Sequence, residues 1–430
     1  MTTTSERTDG LIPGEPTDVL RWIPQGAKIV VPIGFGEPPT LLDTIEAHAE
    51  ELDGVEIHRM DPFVTRPYIQ GAYGTHLRHV DYFLGPGSRQ AYWDGQCDLV
   101  PNHFSEVPLL LRRIQPDLAI ARASGPNEHG YFSLGPNADY TAAFIGKVPF
   151  FLEVTEQQPF TYGQNQIHGS QIAGWIKTDA GFPKVTHRAP SPQDEAIAGH
   201  IAELIPDGAC LQVGVGSIPD ALLSALTDHK DLGIHTECLS DGLMNLVERG
   251  IATGIRKRNF PGKHVTTFCV GTPELMRWLD HNTAVQMMPV DWTNDPRTVA
   301  TEPNFVSINA TTEVDLMGQA ASETIAGRYW SSSGGQADFA RGAMYSDGGK
   351  AFLVLRSTTR QGRGRIRSTL TPGSVVTTLK NTIDHVVTEY GVAALRGASI
   401  DERARRLIAI AHPDHRNELR FNARKAGLLH

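Results

Sequence analysis

The chain has 430 residues, enough for two domains with sizeable cores. Its formal charge of −9 at pH 7 speaks against a nucleic-acid partner. It contains no apolar run of about 18 residues that would serve as a membrane span. The first residues, MTTTSERTDG, are polar and lack an apolar signal core, so residues 1–20 read as a loose tail and the cytoplasm is the default compartment. Lys28–Pro32 then reads as a strand, running into Gly34-Phe35-Gly36 and a helical stretch from Leu41 to His48. Val55–Arg59 and Leu118–Arg122 are strand-like, with a helix at Leu109–Ile114 between them. His129 sits in the turn-rich SGPNEHGYFSLG, where a histidine that ties down a loop is the simpler reading. Val148–Val154 is a further buried-type strand, and the polar, proline-bearing run after it places a domain boundary at 190/191.

Beyond the boundary the same grammar returns. Ala209–Val213 is an apolar strand; Gly214, Gly216 and Pro219 break it, and Asp220–Leu226 has helical spacing. A glycine turn feeding a helix presents free backbone N–H groups and positive dipole, which suit a phosphate or a developing oxyanion. Leu232–His235 leads into Thr236-Glu237, a glutamate at a strand's carboxyl end, where open α/β sheets place their chemistry. Taken singly, each feature has a plain structural reading: Gly-x-Gly turns are common, and a glutamate after a strand is usually solvated. Cys238 alternates to the opposite face from Glu237 on an extended segment and reads as a small buried filler. The four cysteines, Cys97, Cys210, Cys238 and Cys269, contain no CxxC pair and suggest neither disulfides nor a zinc site.

Further strands are expected at His264–Val270, Val306–Asn309, Lys350–Leu355, Val375–Thr378 and His385–Thr388. Arg356–Arg367 is basic and glycine-bearing; it reads as a mobile hairpin with a solvated face, with an anion patch as the alternative. In the closing helix Ala404, Leu407, Ile408 and Ala411 form the apolar side and Arg403, Arg405 and Arg406 the other. Strands alternating with helices throughout give an α/β fold with mostly parallel sheets, arranged as two similar halves.

Eight ordered segments carry a resemblance: GFGEPPTLL (34–42), FSEVPLLL (104–111), EHGYFSLG (128–135), GVGSIPDAL (214–222), GIHTECLSDGL (233–243), SINATTEVDLMGQ (307–319), SSGGQADFARGA (332–343) and VVTEYGVAALRG (386–397). With them the chain resembles the acetyl-CoA hydrolase/transferase family of class I CoA-transferases, over residues 20 to 425. The resemblance implies two similar open α/β domains, 21–190 and 191–430, with the active site at their interface and the catalytic glutamate in the second. It implies Glu237 as that glutamate, with Glu313, Glu389, Glu106 and Glu128 as rivals of lower rank. It implies contacts to CoA or an oxyanion from Gly214, Val215, Gly216, Ser217, Ile218, Thr312 and Gly335, and it makes Gly334, Glu389 and Gly391 weaker candidates. Cys238 and Thr312 depart from the family pattern, which bears on acyl preference.

The implied reaction moves CoA between an acyl-CoA and a small carboxylic acid of the acetate, butyrate or 4-hydroxybutyrate type through a glutamyl-CoA thioester. Alternatives are acetyl-CoA hydrolysis with the same glutamate and a catalytically silent acyl-CoA-binding protein. CoA is a substrate; no metal and no tightly bound cofactor is expected. The expected partners are acyl-CoA and a short-chain carboxylate, with neither nucleic acid nor membrane. The resemblance also implies a homodimer or higher homo-oligomer.

Overall fold

Two short apolar strands, Lys28–Val30 (β1) and Cys210–Val213 (β8), lie inside two separate, mostly parallel sheets. A computed structural model describes residues 12–185 and 188–430 of the chain. The chain divides into one unit of residues 1–185 with 265–293 and a second of residues 186–264 with 294–430.

In the first unit β1 is followed by Val55–Arg59 (β2), Leu77–Asp81 (β3), Cys97–Leu99 (β4), Leu118–Ala123 (β5), Phe150–Val154 (β6) and Ile172–Lys177 (β7). They form one parallel sheet in the order β4-β3-β2-β1-β5-β6-β7. Every residue of β5 and β6 is buried, the pattern of strands covered on both faces. The helix Pro39–Ala47 (α1) packs Leu41, Leu42 and Ile45 against Ile29, Val31 and Ile57. Between β1 and α1, Glu37 is buried with Arg59 at 2.5 Å and Arg66 at 3.0 Å. Arg66 also reaches Glu46 at 3.0 Å and Asp43 at 2.7 Å. Burial alone would raise the pKa of Glu37; the two guanidinium groups outweigh it and hold the carboxyl below its usual range.

Two expectations about boundaries need restating. Of the segment read as a loose tail, residues 1–11 lie outside the described residues, while Pro16–Trp22 forms a 3-10 helix that buries Val19 in the first core. The contact grouping does not follow the expected boundary at 190/191 throughout, since Val265–Thr293 groups with the first unit. There Thr267 O accepts from Ala138 N and Asp139 N at 2.8 Å, and Met287 N donates to Tyr162 O at 2.8 Å.

The second unit repeats the layout. After β8 come Gly233–Leu239 (β9), Phe305–Ala310 (β10), Lys350–Val354 (β11), His385–Thr388 (β12) and Gly391–Ala394 (β13). Within the unit their order is β9-β8-β10-β11-β12-β13, parallel except for the final hairpin. β1 thus lies between β2 and β5 as β8 lies between β9 and β10. The expected strand at Val375–Thr378 is absent; Ala320 instead bridges Thr378 singly. The helix Ile400–Ile410 (α5) is opened by a reciprocal cap between Ser399 and Glu402 and buries Ala404, Leu407 and Ile408 against Leu353 and Val386. Arg403 does not share the exposed side: it turns inward and donates to Met317 O at 3.1 Å and Lys380 O at 2.9 Å.

Candidate active site

The site begins where β8 ends. Gly214 N still donates to Ile308 O at 3.1 Å, as a strand residue would. The backbone then turns through Gly216, whose φ of +132° is a conformation L side chains rarely adopt. Helix Ser217–Ala225 (α3) starts there with no side-chain cap, one residue into the turn rather than at Asp220. Val215 is 59% exposed at the tip, and Ile218 is buried beneath it. Ser217 is tied down from outside the turn. Its side chain bonds the fully buried carboxylate of Asp194, at the start of helix Pro192–Ala202 (α2), which also takes Arg356 Nε at 2.8 Å and Nη2 at 2.6 Å. Burial alone would raise the pKa of Asp194; the Arg356 and serine bonds win and hold it well below the carboxylate range.

β9 places the glutamate. Its register with β8 pairs Cys210 with Gly233 and Leu211 with Ile234, and the same register carried forward brings Glu237 beside Gly214. Thr236 Oγ1 lies 3.3 Å from Val213 O, so the two strand ends remain in contact there. Strand alternation buries Cys238 and leaves Glu237 part-buried. The strand continues to Leu239, so Glu237 stands within its last turn of pleat rather than in the loop beyond.

Two neutral amides hold the carboxylate. Asn294 Nδ2 donates to Glu237 Oε2 at 2.7 Å, and the Gly335 N–H lends a second bond. A Cβ on Gly335 would stand 2.0 Å from Oε2 and 2.4 Å from Asn294 Nδ2, so only glycine fits. Gly335 is the cap residue of helix Gln336–Tyr345 (α4), and Gly334 before it has a φ of +56°. Burial pushes the pKa of Glu237 up to about 7, against the pull of the two amide bonds.

The rival carboxylates are otherwise employed. Glu313 accepts from Thr371 N at 2.9 Å, Thr371 Oγ1 at 2.7 Å and Ser374 Oγ at 2.9 Å. Glu389 accepts from Ser357 N at 2.9 Å and Oγ at 2.7 Å. Glu106 caps His103 N at 3.2 Å, and Glu128 is exposed beside His129. Thr312 donates its hydroxyl to Ala321 O at 2.6 Å. Gly391 pairs with Thr388 across the final hairpin. Asn294 escaped the sequence reading: it stands in an Asn-Asp-Pro run that signals a helix start, and indeed Asp295 caps Pro296–Val299. Among the described residues no group of three His, Cys, Asp or Glu is placed to hold a metal, and no helix is long and apolar enough to cross a membrane.

A glycine turn, an amide-held glutamate and two like-built α/β units narrow the comparison with known proteins. The family model for the acetyl-CoA hydrolase/transferase N-terminal domain matches residues 8–184, and that for the C-terminal domain matches residues 271–423. The chain belongs to the acetyl-CoA hydrolase/transferase family. Within that family it is similar to the succinyl-CoA:cyclohexane-1-carboxylate CoA transferase of Geobacter metallireducens, with 42% identity over 95% of this chain and 94% of the relative. The 4-hydroxybutyrate coenzyme A transferase of Clostridium kluyveri is 40% identical over 91% of this chain and 92% of its own. Among solved structures, 4-hydroxybutyrate CoA-transferase from Porphyromonas gingivalis aligns with a TM-score of 0.81 at 34% identity, covering 99% of this chain and 100% of that one. The chain is an enzyme of the CoA-transferase class.

Proposed function

We propose that Glu237 carries the acyl and CoA groups in turn, moving CoA between an acyl-CoA and a small carboxylic acid of the acetate, butyrate or 4-hydroxybutyrate type. The observation that carries this reading is the Glu237 carboxylate held by Asn294 and Gly335 with its pKa near 7. A carboxylate solvated in bulk is a weak nucleophile; one drawn partly out of water and held by neutral amide dipoles keeps more of its basicity.

The steps balance without a metal or redox group. A Glu237 oxygen attacks the thioester carbonyl, the C–S bond breaks, and CoA leaves as thiolate, giving an acyl-glutamyl anhydride. The thiolate attacks the glutamyl carbonyl, the first acid departs as carboxylate, and a glutamyl-CoA thioester remains. The acceptor acid then reverses the sequence. During attack on the glutamyl carbonyl its oxygen becomes an oxyanion; Asn294 Nδ2 already donates to Glu237 Oε2, and the Gly335 N–H donates to the same carboxyl group. The uncapped amides of the 214–218 turn, one strand away, are the corresponding donors for the bound acyl-CoA.

Incubation with an acyl-CoA alone should leave CoA bound to one peptide, the one containing Glu237, in an intact-mass and peptide-mapping experiment. Glu237→Ala should form no adduct. Wild-type turnover in that variant, or an adduct mapped to another glutamate, would overturn the assignment. A panel of acetate, butyrate, 4-hydroxybutyrate and water as acceptors separates transfer from hydrolysis and identifies the acid.

A further inference from the structure

The basic segment 356–367 is not simply a solvated hairpin. Thr359 N donates to Arg363 O at 2.9 Å and Arg365 N to Ser357 O at 2.9 Å, so the arms are paired. Arg356 is bound in two-pronged fashion to Asp194. Arg365 lies near it, half-buried, and its guanidinium has no hydrogen-bond or ion-pair acceptor among the described residues. Burial holds its pKa below the usual arginine range and Arg356 pushes the same way, with Glu389 opposing. Glu389 offers little more, since both its oxygens already accept from Ser357. A charge withdrawn from water without a fixed counter-ion is costly, and an incoming anion would offset that cost.

Position decides which anion. Arg356 follows β11 and Glu237 stands near the end of β9, at the carboxyl edge of the same parallel run. The order β9-β8-β10-β11 separates them by three strand spacings, roughly 14 Å at about 4.8 Å each. The Ser217–Asp194–Arg356 chain of bonds links the glycine turn to this point. An acid reacting at Glu237 does not extend so far; the anionic end of a long thioester carrier does. We propose that Arg365, with Arg356 beside it, binds the phosphate groups of CoA. This rests on the reading of Glu237 as the reacting group. The planar fork of arginine matches phosphate oxygens in pairs, and Asp194 keeps Arg356 aligned while leaving Arg365 for the ligand.

The test compares acyl-CoA with acyl-pantetheine, which has the same thioester and no phosphate. In Arg365→Gln the ratio of kcat/KM for acyl-CoA over acyl-pantetheine should fall about ten- to a hundredfold. An unchanged ratio, at whatever absolute rate, overturns the proposal. Should that variant fail to fold, Arg365→Met keeps the aliphatic stem without the charge, and a ratio equal to that of the unaltered enzyme would count against the proposal equally. Acyl-dephospho-CoA separates the two phosphate positions: if the Arg365→Gln effect vanishes with it, the contact is the 3′-phosphate, and if the effect persists, the diphosphate. Absence of a glutamyl-CoA adduct in the unaltered enzyme would sink the Glu237 reading instead, independently of that ratio.

Discussion

Glu37 and Glu237 are both glutamates withdrawn from bulk water near a glycine turn, one in each unit, and their surroundings send them opposite ways. Glu37 is met by two guanidinium groups and is held ionised below the ordinary range. Glu237 is met by a carboxamide and a backbone amide, and burial prevails, leaving its pKa about 7. Point charges cancel the desolvation of a carboxylate and spend it on structure; neutral dipoles cancel only part and leave a group able to react. On the proposed reading of Glu237, this contrast is how the two like-built halves would divide their tasks.

The largest effects should come from exchanging each carboxylate for its isosteric amide. Glu237→Gln should lower transfer by on the order of 10⁴-fold or more. It should not lower stability above neutral pH, because the folded state disfavours ionising Glu237. That penalty is absent well below pH 4.5 and fully present above about pH 7. Glu37→Gln should do the reverse, leaving Arg59 and Arg66 short of a buried partner at a cost of about 3–5 kcal/mol in denaturant unfolding. Equal losses of stability in the two variants would break the comparison.

A smaller effect is expected from Gly335→Ala. The new methyl would occupy the space of Glu237 Oε2 and push the carboxylate off its donors, so kcat should drop about 10²–10³-fold. A kcat close to that of the parent would mean that the carboxylate works equally well from another position. Smallest is Asn294→Ala, which removes one of the two proposed oxyanion donors and should lower kcat by about 10²-fold. Its amide favours the ionised form, so removing it should move the acid limb of the kcat/KM profile upward by about one pH unit, one charge-assisted bond's worth. A downward shift would reverse the assigned sign of that contact.

Much of this architecture is readable from the chain because the local patterns agree with the final packing. The β8 run, the break at Gly214–Gly216 and the alternation of Glu237 with Cys238 each depend on neighbours in sequence. Asn294 meets Glu237 only across fifty-seven positions of chain, and its own neighbourhood advertises a helix start. Arg365 was hidden by its company: among several arginines in a glycine-bearing hairpin, nothing local distinguishes the half-buried one without an acceptor among the described residues. Val265–Thr293 is a related case: its strand-then-helix pattern is the same in either unit, and bonds such as those of Thr267 and Met287 with Ala138 and Tyr162 are not visible in its local sequence.

The passage of Val265–Thr293 into the first unit also has a practical meaning. A gene truncated near codon 190 would encode a fragment lacking Val265–Thr293, with the main-chain groups of Ala138, Asp139 and Tyr162 stripped of those partners. On the ribosome those hydrogen bonds of the first unit can therefore form only after Thr267 and Met287 have been made.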